Sequence, residues 1–549
     1  MFDCRYLHNL MLAVCFGIAI SCSGGGTPSG ASNSPNDTHS TPNDTTSDQM
    51  PAICTPSDDP SPEVGTPTLR ATLPASWDEN WFASAAVFNL HNDDSKEIIA
   101  GRHFVLYVWN NDGTLDWRAP VGENSTSSND HGTYRQYASP VVGDLDGDHY
   151  GEIVIAWSNK AAVYDHNGMI RSGWPQSFPG SGGEIRSICA ANLDGEGPLE
   201  ILAVSTASGP STVVWQLDGS VRAGWPQVSG SDPDRDDCGG FNQNIGAADL
   251  DGDGDLEVVS TYDCCIIGIM HDDGTPFAAN AMFADAGPYV SSVPFFHDLD
   301  LMMQGWGPDG NDRDEFTDSP PVFADMDADD LPEVILYSDH ERAGEYINRG
   351  NSLWVINPDL VRVTGFETPI VSGGPIFTGY QDNIVQVAPA PAVADILGDA
   401  TPEIIVPSYD GKMRCFGKGG QTLWVYTFDT AGGAFNGASG PAVADLNGDG
   451  TAEVIFTTYS VSDNVSHLII LGADGSLLHK IPLTGRGDMS VPTIADVDGD
   501  DRAEIIISLK DTLGGGFGGV QVWDVPTAGT NCIKWGTGRG GFLRNGRAD

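Results

Sequence analysis

Asp249, Asp251, Asp253 and Glu257 stand at the first, third, fifth and ninth places of the stretch Asp249-Leu250-Asp251-Gly252-Asp253-Gly254-Asp255-Leu256-Glu257. Carboxylates at that spacing can converge on one hard cation that takes roughly six to eight oxygen ligands, and calcium is such a cation. Gly252, in the fourth place, permits a turn that most side chains resist, and Asp255, in the seventh, is placed to offer its backbone carbonyl. Val258-Val259 follows at once, so the stretch reads as a metal clip between two strands.

The pattern recurs. Asp144, Asp146 and Asp148 with Glu152 repeat it, as do Asp325, Asp327 and Asp329 with Glu333. Asp445, Asn447 and Asp449 with Glu453, and Asp496, Asp498 and Asp500 with Glu504, complete five copies that keep every oxygen ligand. Asn192, Asp194 and Glu196 with Glu200 form a conservative sixth, in which the longer Glu196 must refit the cavity. Two copies are damaged at the third place, by Leu397 between Asp395 and Asp399, and by His91 between Asn89 and Asp93. Weak or no calcium is expected at those two.

The elements that must position these loops repeat with them. A short strand of small and branched residues leads in, as in Pro140-Val141-Val142-Gly143 and Pro441-Ala442-Val443-Ala444. A strand rich in β-branched residues leads out, as in Glu152-Ile153-Val154-Ile155-Ala156 and Glu504-Ile505-Ile506-Ile507. A third, alternating strand then runs into a turn, as in Val213-Val214-Trp215-Gln216-Leu217-Asp218-Gly219. A fourth, edge segment closes the unit around an aromatic, most clearly in Gly173-Trp174-Pro175 and Gly224-Trp225-Pro226. Loops beginning at 89, 144, 192, 249, 325, 395, 445 and 496 are spaced by 48 to 76 residues. Four-stranded units of about fifty residues suit the blades of an all-β propeller, so eight blades are expected, with seven as the alternative if the first unit fails. For the last unit, Cys532-Ile533-Lys534-Trp535 offers a fourth strand, and ring closure by a strand near Thr68 to Leu73 is the other possibility.

These loops, with the small-residue strand before and the Glu-Ile-Val type of strand after, resemble FG-GAP or VCBS repeats, the family that includes the integrin α-subunit propeller. The resemblance covers roughly residues 80 to 525. It implies a calcium-bearing β-propeller whose first, third, fifth and ninth residues are side-chain ligands. The seventh-place carbonyls would come from Tyr150, Pro198, Asp255, Leu331, Thr451 and Arg502. About five or six structural calcium ions would follow. The family often has Asp at the ninth place; here it is Glu throughout, which leaves monodentate and bidentate binding open. The family occurs in adhesion proteins, carbohydrate-binding proteins and some polysaccharide lyases, so it does not fix a function.

Composition narrows the field. The formal charge of −50, from 76 acidic against 26 basic residues, argues against nucleic acid as a partner. Leu10 to Ile20 is long enough for a signal-peptide core and too short to span a bilayer as a helix. Ala19-Ile20-Ser21-Cys22 resembles a bacterial lipobox, departing from it by Ala three residues before the Cys. Residues 1–21 are therefore expected as a signal, with a lipid anchor at Cys22 and a location at the outer face of a bacterial cell envelope; a secreted form is the alternative. Residues 22–67, rich in Ser, Thr, Pro, Asn and Asp, read as a disordered tether, and 68–549 as the propeller.

Specific function is expected where the repeat is interrupted. Thr275 to Ser319 carries Phe295, Phe296, Trp306 and an acidic run from Asp309 to Asp318, and a smaller excess lies around Tyr337 to Tyr380. Aromatics there would suit stacking on sugar rings. The 12 histidines show no zinc spacing, and no serine elbow or phosphate loop is present. Arg486-Gly487-Asp488 falls in a connection between units. Seven cysteines follow Cys22, an odd number, with Cys238 and Cys264 or Cys265 the first pairing to test. The sequence thus points to a calcium-stabilised module binding glycan or protein at the cell surface, with a polysaccharide lyase or hydrolase on the propeller face as the alternative.

Overall fold

The computed structural model describes residues 56–547, apart from 76–79, 122–134, 230–238, 263–265, 278–311, 358–362, 373–389, 431–435, 511–517 and a few single or paired positions. The expected sites at Phe295, Phe296, Trp306, Tyr380 and the pairing of Cys238 with Cys264 or Cys265 lie outside the described residues. Eight antiparallel sheets follow one another along the chain. Blade 1 runs Ala86–Phe88, Glu97–Arg102, Val105–Trp109 and Leu115–Pro120 from inside to outside. Blades 2 and 3 repeat this order, their second strands being Glu152–Trp157 and Glu200–Ser205 and their third Lys160–Tyr164 and Pro210–Trp215. Blade 4 has Ile245–Ala248, Glu257–Tyr262 and Ile266–Met270, and a bridge from Met270 to Pro276 marks the fourth position. Blades 6 and 7 hold the second strands Glu403–Ser408 and Glu453–Ser460.

Burial explains the sequence pattern. A second strand such as Glu152–Trp157 is buried along its whole length because neighbouring blades cover both faces, so it reads as an unbroken apolar run. An outer strand such as Leu115–Pro120 or Thr422–Thr427 alternates between exposed and half-buried residues, since only one face meets protein. The core is a ring of interfaces between blades. One cluster joins Ile506, Val520 and Val522 of blade 8 to Ile99 and Val108 of blade 1 and Ile153 of blade 2, and further clusters continue around to blades 7 and 8. Outer-strand tryptophans stitch the rim: the Nε1–H of Trp117, Trp174, Trp225 and Trp424 each donates to a turn carbonyl of the next blade, on His166, Leu217, Asp272 and Ala473, at 2.8–3.0 Å. Gly173 (φ 93°) sits so close to the Asp218 carbonyl of that turn that no Cβ would fit.

Ring closure comes from the N-terminal side. Thr68–Pro74 pairs with Gly519–Asp524 and supplies the outer strand of blade 8. The alternative, a fourth strand from Cys532 to Trp535, is corrected: Ile533–Trp535 pairs with Ala442–Ala444, the innermost strand of blade 7. It could not serve blade 8, whose open edge Thr68–Pro74 already holds. From there the chain fills the centre of the ring. Backbone N–H groups of Ile494, Val142, Ala190, Ala247 and Phe323, on the innermost strands of five blades, donate to the carbonyls of Gly536, Phe542, Leu543, Asn545 and Gly546 at 2.8–3.0 Å. Arg539 and Arg544 are fully buried in this plug. Arg539 donates to the carbonyls of Ile245 and Ile188 at 2.8 and 2.6 Å, and Arg544 to those of Ala85 and Pro140 at 2.9 and 3.2 Å.

Two other expectations change. The stretch read as tether is ordered at its end: Ser57 and Ser61 donate their N–H to Gly448 and Asn447 carbonyls at 2.8 Å, and Val64 is buried against blades 7 and 8. The excess after the fifth loop is partly a lengthened hairpin, Glu333–Arg342 with Glu345–Ile356, and Asp312–Glu315 from the acidic run joins it as a fifth strand of blade 5. Among the described residues Cys189 and Cys415 are free and buried, and Cys532 is disulfide-bonded.

Candidate metal centres

Each acidic loop connects the first strand of a blade to the second, and its second residue is its anchor. Leu90, Leu145, Leu193, Leu250, Met326, Ile396, Leu446 and Val497 are all at most 2% exposed. The first-place carboxylate then organises the turn. In the loops of Asp144, Asp249, Asp325, Asp395, Asp445 and Asp496, Oδ1 accepts the fourth-place N–H at 2.7–2.8 Å. Oδ2 accepts the sixth-place N–H at 2.8–3.3 Å. The fifth-place Asp accepts the N–H of Tyr150, Asp255, Leu331, Thr401, Thr451 or Arg502 at 2.8–3.0 Å.

This wrapping demands left-handed backbone at the sixth place as well as the fourth, which the sequence reading did not foresee. His149, Asp330, Ala400 and Asp501 take φ of 65–73° there, and Ala328 takes 67° at a fourth place. An L-residue other than Gly is strained in that region. Ala328→Gly with Ala400→Gly is therefore expected to stabilise the protein by about 1 kcal/mol, the relief being partly offset by glycine's greater unfolded-state freedom. The shift would be read as a higher urea midpoint; an unchanged or lower midpoint would refute the strain argument.

The ninth-place Glu has a second task. In all eight loops one of its oxygens, Oε2, accepts the N–H of the second-place residue at 2.5–3.1 Å. All eight glutamates are 0–3% exposed. With Oε2 accepting a backbone N–H, Oε1 is the less committed oxygen of each of these glutamates.

The carboxylates of Asp144, Asp146 and Glu152 approach within 4.8 Å of one another, as do those of Asp249, Asp251 and Asp253, of Asp325, Asp327 and Asp329, and of Asp496, Asp498 and Asp500. Glu333 is fully buried, and its Oε1 has no hydrogen-bond partner among the described residues. A buried carboxylate oxygen without a donor beside three further carboxylates would suit a hard cation, and the all-oxygen donor set fits calcium. In the loop of Asn192, Glu196 is exposed and Pro198 has no N–H to give it; Asp194 and Glu200 instead hold Arg222. In the damaged loops other groups take over: His91 Nε2 lies 3.0 Å from Asp116 Oδ2, and Lys534 Nζ lies 3.7 Å from Asp395 Oδ2.

Burial, with the loop aspartates beside it, pushes Glu257, Glu333 and Glu453 up to about 8. Without a divalent cation, the native state then holds more protons than the unfolded chain between the ordinary carboxylate range and about pH 8. Its stability should fall as pH rises across that window. Melts in chelator between about pH 5 and pH 8 should show this fall, and Glu333→Gln should flatten it. A profile that rises instead would contradict it.

No family model matches the chain. No curated protein matches it. Solved structures similar to it include the biofilm matrix protein Bap1 of V. cholerae, at 16% identity over 84% of this chain and 91% of that one, with a TM-score of 0.41. The propeller of Dos1 is 8% identical over 83% and 95%, with a TM-score of 0.47. The exotype rhamnogalacturonan lyase YesX is 15% identical over 87% and 76%, with a TM-score of 0.43. The chain's own eight sheets make it an eight-bladed β-propeller.

The tripeptide Arg486-Gly487-Asp488 is not displayed. Arg486 is 4% exposed, Asp488 is fully buried, and its carboxylate accepts the N–H of Ser490 and Ser508 at 2.8 and 3.0 Å.

Proposed function

We propose that the protein is an exported propeller of the FG-GAP or VCBS type, lipid-anchored at Cys22, whose loops hold calcium as a structural ion. It acts at the outer face of a bacterial cell envelope as a binding or adhesion module for glycan or protein. The observation that carries this reading is the fully buried, unpartnered Oε1 of Glu333 beside Asp325, Asp327 and Asp329. The ligating residues are tied into the framework of their own blades, which supports a cation that fastens strands over one that meets a ligand. A glycan array probed with the full chain, with and without chelator, tests the reading: retention that disappears on chelation is expected, and no retention of any glycan or surface protein would sink it.

Catalysis on a polysaccharide is the second reading. It draws on a cavity of about 310 Å³ beside the plug, lined by Lys96, Lys534, Asp496 and Phe542, in which Lys96 Nζ donates to the Asp496 backbone carbonyl. Product release from a bound polysaccharide would establish it over the binding reading.

A further inference from the structure

In blades 2, 3 and 8 the outer segment carries one residue aimed back at that blade's own loop. In blades 2 and 3 it is Arg171 and Arg222, whose backbone N–H groups donate to Val163 and Val214, the next-to-last residues of the third strands. In blade 8 it is Arg70, at the bulge between Leu69 and Ala71 that interrupts pairing with Gly519–Asp524. Each guanidinium spans the third and ninth places. Arg171 is 2.6 Å from both Asp146 Oδ2 and Glu152 Oε1. Arg222 is 3.0 Å from Asp194 and 2.7 Å from Glu200 Oε1, and Arg70 is 2.8 Å from Asp498 and 3.0 Å from Glu504 Oε1.

The same register position holds other residues elsewhere. It is Phe277 in blade 4 and Val363 in blade 5, by their N–H bonds to Ile269 and Val355. It is Asp116, Leu423 and Leu478 in blades 1, 6 and 7, at bulges matching that of Arg70. The third place of the loop varies in step. Where the outer residue is Asp116 the third place is His91, whose Nε2 lies 3.0 Å from Asp116 Oδ2. Where it is Leu423 the third place is Leu397, so both members are apolar. Blades 4, 5 and 7 keep Asp251, Asp327 and Asn447 opposite Phe277, Val363 and Leu478, none of which can supply a positive charge. His271 in blade 4 lies 3.1 Å from Glu257 Oε1, as a hydrogen-bond partner or a ligand rather than a fixed cation.

A guanidinium within hydrogen-bonding distance of both oxygens leaves no room for a calcium ion that must approach the same oxygens to roughly 2.3–2.6 Å, and two cations so close would repel. We infer that the outer-strand residue decides how each blade is fastened: blades 2, 3 and 8 are latched by their own arginine, and blades 4, 5 and 7 are the ones that take calcium. This rests on the calcium reading above and lowers its count from five or six ions to three.

Calcium titrated calorimetrically into the chelator-stripped full chain counts the sites. Three are expected in the wild type, four in Arg171→Gln, which opens the loop of Asp144, and two in Leu478→Arg, which closes that of Asp445. Leu478 is 40% exposed, so its replacement leaves the core intact and decides the matter even if Arg171→Gln fails to fold. Five or six sites in the wild type would overturn the inference alone, as would three sites that neither variant changes. A wild type that binds no calcium would overturn the calcium reading as well.

Discussion

Stripping calcium from the full chain is expected to lower its melting temperature by about 10 °C. A site held at a thousand times its Kd contributes about 4 kcal/mol, so three independent sites contribute about 12 kcal/mol. An unfolding entropy of about 2.1 cal/mol/K per residue gives about 1 kcal/mol/K for a ring of this size, which converts that sum to the stated shift. The loss should not be uniform around the ring. Blade 5, where the buried Glu333 Oε1 would be left facing Asp325, Asp327 and Asp329, should open before blades 2 and 3, where Arg171 and Arg222 hold the same two oxygens. Amide exchange in chelator reads this directly, and uniform protection across those blades would contradict the assignment. A melt indifferent to chelator would remove the metal from the account of stability.

Deleting residues 533–547 should do more damage still. The plug answers backbone N–H groups on the innermost strands of five blades and buries two arginines. Each buried group left without a partner costs about 1–3 kcal/mol, so the five backbone donors alone account for about 5–15 kcal/mol before any packing is lost. That is comparable to the whole stability of a typical domain, about 5–15 kcal/mol, and a protein lacking the plug should be cleaved rapidly by protease under conditions where the full chain resists. Arg544→Met, which keeps the volume but abandons the carbonyls of Ala85 and Pro140, should fall between the two. A truncated chain with an unaltered, cooperative melt would show the plug to be ornament.

What the sequence made legible was whatever repeats. The loop's spacing with its ninth-place Glu, an apolar second place and a β-branched strand recur eight times, so the sheets, the blade number and the turn geometry at the fourth place follow from spacing. The second task of the ninth-place Glu was visible in principle. Glu97 and Glu403 persist in the two loops whose third place is His91 or Leu397, where a residue kept only for ligation had no reason to stay. The arginine latches were harder to see. Their alignment depends on a bulge one residue wide, and in blade 8 the latch, Arg70, lies 434 residues from Glu504. The plug was not legible at all, because Gly536 to Gly546 has neither strand alternation nor any counterpart in another blade. Cys532 to Trp535 looked like an outer strand for the plain reason that isolated strands cannot report which open edge they will find; Thr68–Pro74 had taken the one in question.

The pairing of Thr68–Pro74 with Gly519–Asp524 also bears on how fast the molecule can form. Those strands meet across more than four hundred residues, and the plug reaches back to the innermost strands of blades 2 to 5, laid down long before it. Joining ends so far apart adds only a logarithmic penalty in free energy, but contacts of such separation make folding slow. A polypeptide made from its N-terminus would deliver Thr68–Pro74 early and wait for both its partner and its hub, so the open ring, with an unpaired edge on blade 8 and bare inner strands, is the species that lingers during biogenesis.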